Sequence, residues 1–186
     1  MVFADCFMIA HMVFIENHST TGSAVQQFRT LRRKSKNFLR QPLRMWFIPV
    51  WLLLGLAKAL IFIVSFRRLA PRLGVPLGPV SWVPLLDPEQ ERMALNIGRI
   101  VRMAARYTPW NSNCFPQAAV ARLLLGIYGI PYALYFGLMR EPSSTQLKAH
   151  AWVAAGRIRV TGGESFGRFT TVCCFVAPGL QGAAES

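Results

Sequence analysis

Apolar residues run almost unbroken from Met45 to Phe66, with Arg44 before them and Arg67, Arg68 and Arg72 after. The run predicts a helix long enough to cross a bilayer. Pro49 and above all Lys58 oppose a span, because a lysine near its centre costs about 2.5–3.5 kcal/mol on insertion scales. A buried or membrane-grazing helix is therefore expected. Leu73 to Leu86, with Gly74, Pro76, Gly78, Pro79 and Pro84, is a linker by composition. Asp87-Pro88-Glu89-Gln90 then opens a helix with an N-cap acid, a proline in the first turn and a capping-box glutamine. Met93, Ile97, Ile100, Val101, Ala104 and Ala105 form its apolar stripe; Arg92, Arg99, Arg102 and Arg106 lie outside it, and the helix should stop before Pro109. A second helix follows Asn113 and continues as an apolar, alanine- and leucine-rich run from Ala118 to Tyr128, closed by Gly129-Ile130-Pro131. Strands are expected over 131–139, 147–154, 157–161 and 168–176, with His150 and Trp152 on one face by period-2 alternation.

Charge changes the picture at the front of the chain. With 21 Lys and Arg against 8 Asp and Glu, the surface should attract anions. Seven basic residues fall between Arg29 and Arg44, interleaved with Phe28, Leu31, Phe38 and Leu39, which reads as a basic amphipathic helix. No zinc finger, helix-turn-helix or aromatic strand motif accompanies the charge, so nucleic acid is not an expected partner. Residues 1–27 show no clean period and read as a tail; 28–74 form a helical appendage and 75–186 the domain that carries the chemistry. Cys6, Cys114, Cys173 and Cys174 form neither a CxxC pair nor a spaced framework, so no metal site is expected and a reducing cytoplasm fits best. The apolar start contains Asp5 and His11 and lacks a preceding basic residue, which is unlike a secretory signal.

Two stretches carry the candidate chemistry. Cys114 sits in the first turn of its helix, capped by Ser112 or Asn113. There the unpaired N–H groups and the positive end of the dipole favour a thiolate. Pro116 loses nothing there by lacking an N–H. His150 lies in a strand, separated from Cys114 by enough chain for a helix and a strand. The pair reads as a nucleophile and its base, with the Cys114 backbone N–H and the Trp110 indole N–H as oxyanion donors. Cys173 and Cys174, adjacent in a strand, should face opposite sides as packing residues.

Pro109-Trp110 with Cys114 four residues on, the helix to Gly129, Ala149-His150-Ala151-Trp152-Val153, Gly156 and Val160-Thr161-Gly162-Gly163 together resemble the transglutaminase-like cysteine peptidases. The likeness is greatest to the stand-alone leader peptidases of lasso-peptide biosynthesis. It implies an α+β, papain-like core and removal of the leader from a ribosomally made precursor. It also implies two partners, a small leader-recognition protein and an asparagine-synthetase-like macrolactam cyclase, with ATP entering only through the cyclase and no bound cofactor. The family pattern places an orienting Asp after the histidine strand. Here only Glu164 and Glu185 follow His150, and Glu164 is the nearest substitute. Without that acid, a non-catalytic scaffold presenting the leader to the cyclase is the alternative, and a small anionic-lipid-binding membrane protein is a third. Cytoplasmic localisation with membrane contact through residues 28–68 completes the expectation.

Overall fold

A computed structural model describes residues 44–80, 82–110, 112–140, 147–163 and 167–178. The expected basic helix, the tail with His11 and His18, and Glu164 lie outside the described residues. The elements in order are α1 (Arg44–Ile63), α2 (Phe66–Leu73), β1 (Val75–Gly78), α3 (Pro88–Arg106), α4 (Cys114–Ile127), β2 (Ala133–Arg140), β3 (Leu147–Ala155), β4 (Ile158–Arg159) and β5 (Thr170–Val176). The strands form one antiparallel sheet in the order β1-β5-β2-β3-β4. The fold is α+β, with the helices on one face of the sheet.

Alternation along β2 and β3 divides the core in two. Leu134 and Phe136, with Ala149, Ala151, Val153 and Ala155, face the helices and join one large cluster. Tyr135, Trp152 and Ala154 face the other way and join a smaller cluster capped by Val75, Leu77, Trp82 and Phe169. Cys173 and Cys174 fall into opposite clusters, as adjacent strand residues must. The small side chains at 149, 151 and 155 let α4 lie close against β3. Its Phe115 packs between Phe66 and Phe136, with ring centroids 6.1 and 5.8 Å apart.

The start of α3 is set locally. The Asp87 carboxylate accepts from the N–H groups of Glu89 and Gln90 at 2.9 and 2.8 Å, and Gln90 Oε1 accepts from the Asp87 N–H at 3.2 Å. Its buried face is rotated from the expected one. Ala94, Gly98 and Met103 join Ile97, Ile100, Val101 and Ala104 inside, while Met93 is exposed and Ala105 half-buried. Arg102 is not a solvated residue either: its guanidinium donates to the Val160 carbonyl at 2.7 Å, pinning the segment that follows β4. A further expectation changes: the linker-like stretch contains β1. Val50, Leu54, Ile61 and Phe66 share the core of α3, α4 and the sheet. β1 is an edge strand, where Pro76 removes no donor that the sheet needs.

Candidate active site

Cys114 is the first residue of α4, and Asn113 before it has the extended backbone of an N-cap. The Asn113 side chain makes no capping bond, so the expected cap by Ser112 or Asn113 is realised in the backbone only. The preceding loop is held by polar contacts instead. Thr108 Oγ1 donates within the loop, to the Ala105 or Trp110 carbonyl at 2.9 Å each, and shares a 2.9 Å bond with Ser112 Oγ. Gln117 Nε2 reaches back to the Ser112 carbonyl at 2.7 Å. The apolar helix α1 supports this loop from below. Trp51 Nε1 donates to the Tyr107 carbonyl at 3.3 Å, and its ring meets Trp110 at 4.9 Å between centroids. The cysteine is half-buried on the helical side of the sheet.

His150 lies on the other side of β3. Its ring stacks on Phe169 at 5.0 Å and on Trp152 at 6.2 Å, confirming that His150 and Trp152 point the same way. Gly137 is paired with His150 across β2, and a Cβ there would stand 2.5 Å from Trp152 Cη2, so glycine gives the indole its place beside the imidazole. β4 pairs only with Ala154 and Ala155. At His150 the strand is therefore an open edge among the described residues. His150 Nε2 is buried with no hydrogen-bond partner among the described residues, the Cys114 thiol included. Burial pushes the imidazole pKa below its ordinary value, so the ring is neutral at pH 7.

What Nε2 faces is the backbone of Gly162. A Cβ at that position would lie 3.2 Å from Nε2 and 2.5 Å from Trp152 Cβ, and Gly162 has φ of +65°. The second buried, unpartnered side-chain polar atom among the described residues is Trp110 Nε1. Both atoms belong to residues that the sequence singles out for the site.

The sequence matches the transglutaminase-like superfamily over residues 57–174, well over half of its length. The chain belongs to the transglutaminase-like superfamily. No curated protein and no solved structure matches it at a significant level. Cys114 on α4 and His150 on β3 both lie within the matched residues. Phe169, Trp82 and the Thr108–Ser112 pair were not found by sequence reasoning. Phe169 carried no signal beyond lying in an expected strand; its role comes from the stacking of its ring on His150 and its place in the smaller cluster.

Proposed function

We propose that this transglutaminase-like protein is a cysteine peptidase that removes the leader from a lasso-type precursor peptide, with Cys114 as nucleophile and His150 as base. The supporting observation is the pair of buried, unpartnered atoms, His150 Nε2 and Trp110 Nε1, in the two residues the chemistry needs beside the thiol. An unsatisfied buried polar group costs about 1–3 kcal/mol, and a catalytic role is one reason such a group is kept.

In this scheme the neutral imidazole takes the Cys114 proton through Nδ1, and the thiolate adds to the scissile carbonyl. The Cys114 backbone N–H and the Trp110 indole N–H receive the oxyanion. The imidazolium then protonates the departing amine of the core peptide, the C–N bond breaks, and water hydrolyses the leader thioester. Closure of the thiol on the imidazole accompanies substrate binding, as catalytic hydrogen bonds often tighten only in the complex. A separate leader-recognition protein and the macrolactam cyclase are the proposed partners, and the cyclase is the consumer of ATP.

The glycine facing Nε2 favours one other reading, a scaffold that presents the leader without cutting it. The two are separated by incubating precursor with the leader-recognition partner and the wild-type, Cys114→Ala, His150→Ala or Glu164→Gln protein, followed by mass spectrometry. Release of an intact leader by wild type but not by the Cys114 and His150 variants supports the peptidase, and the Glu164 variant reports whether that carboxylate contributes. An uncut precursor that still binds makes the protein a scaffold.

A further inference from the structure

The helix α1 has two faces with different fates. Val50, Leu54 and Ile61 enter the core beside α3 and α4, whereas Ile48, Leu52, Leu56, Phe62 and Ile63 are exposed, from 53 % at Phe62 to 80 % at Ile63. Spacings of three and four place most of these residues along one broad outward arc of the helix. An apolar arc of this length on one helix is far from the scattered single residues that an ordinary surface shows.

The charge along this part of the sequence is of one sign. Residues 17–86 contain no Asp or Glu yet hold eleven of the chain's 21 Lys and Arg. Arg67, Arg68 and Arg72 follow α1 directly, and Arg72 and Arg122 border an apolar groove whose walls include Leu56, Leu60 and Leu69. Trp46, half exposed, marks the other end of the helix; tryptophan is the residue favoured where hydrocarbon meets headgroups. A second copy of the chain is a poor cover, because pairing two such faces brings the arginines together.

We infer that α1 lies in the plane of an anionic membrane surface, its outward arc in the acyl boundary and the flanking arginines on lipid phosphates. Trp46–Ile63 is long and apolar enough to cross a membrane. A crossing would nevertheless strip the inner face from the core or draw α3, with Arg92, Arg99, Arg102 and Arg106, into hydrocarbon. In-plane binding needs neither. Because Trp51 and Trp110 sit on the inner side of the same helix, the cysteine loop would be carried on the membrane-anchored element.

Flotation of the full chain with vesicles tests this, using pure phosphatidylcholine and a 7:3 mixture of phosphatidylcholine and phosphatidylglycerol at low salt. Wild type is expected to float with the anionic vesicles only and to be released by alkaline carbonate. Leu52→Asn/Leu56→Asn and Arg67→Glu/Arg68→Glu, both at exposed positions and checked for fold by circular dichroism, are each expected to bind about tenfold more weakly or less. Failure of wild type to float, or unchanged flotation of both variants, overturns the inference. So does carbonate-resistant binding, which indicates a span. A concentration-dependent dimer abolished by Leu52→Asn/Leu56→Asn, without vesicle binding, assigns the face to a second copy instead. Capture by an acidic polypeptide in place of vesicles equally rejects the lipid.

Discussion

Replacing Gly162 by alanine adds one methyl group at the point where the β4 exit passes over His150 and Trp152. The new Cβ would stand 2.5 Å from Trp152 Cβ, a side-chain atom fixed to the backbone of β3, and 3.2 Å from His150 Nε2. The backbone at φ +65° adds a left-handed penalty of about 1–2 kcal/mol for a residue with a Cβ. Overpacking a fixed neighbour adds about 1–3 kcal/mol. Relief of unfolded-state entropy returns about 0.4–1 kcal/mol. Gly162→Ala should therefore lose about 1–4.6 kcal/mol, which for a chain of this size lowers Tm by roughly 2–18 °C. Gly163→Ala is the control, since nothing lies within 4 Å of a Cβ there, and its effect should stay within about 0.5 kcal/mol. Urea denaturation of the two variants beside wild type measures both. Equal stabilities for Gly162→Ala and wild type would refute the close contact between this glycine and the histidine strand.

Trp110→Phe removes a buried donor that has no acceptor among the described residues, so stability should fall by no more than about 1 kcal/mol while precursor cleavage drops roughly tenfold or more; equal loss of fold and activity in parallel melts and assays would assign Trp110 to packing alone. The His150 imidazole has its pKa lowered by burial in the folded state, so the unfolded chain binds more protons in that range. Its contribution to stability is fully present above the ordinary histidine value near 6.5 and is lost as pH falls towards the folded value. Urea midpoints across that window should decline for wild type and decline less for His150→Ala. Asp87→Ala deletes the capping box of α3 and should cost about 1 kcal/mol in the same urea experiment, without altering cleavage per folded molecule.

Features written in neighbouring residues are legible in the sequence itself. The α3 cap, the end of α4 at Gly129 and the shared face of His150 and Trp152 each follow from rules that act over a few positions. Features decided by distant partners are not. The inner face of α3 turns on its approach to the Val160 segment, where Arg102 binds the carbonyl, and that places Ala94 and Gly98 inside instead of Met93. β1 is hidden because Pro76 and Gly78 read as turn residues until β5 offers an edge to pair with. At the site, the residue types at Trp110, Cys114 and His150 are legible, but the role of α1 beneath Trp110 and the contact of Gly162 with Nε2 arise only when the helix layer and the sheet meet.

The central claim, that His150 activates Cys114, is tested most directly by the rate of iodoacetamide alkylation at Cys114, followed by peptide mapping in wild type and His150→Ala at pH 7. An unactivated thiol is only about 3 % thiolate there, so an imidazole that draws its proton predicts Cys114 labelling several-fold faster in wild type than in the variant. Equal rates in two equally folded proteins would contradict the thiol-imidazole pair and leave the transglutaminase-like fold without a nucleophile at this position.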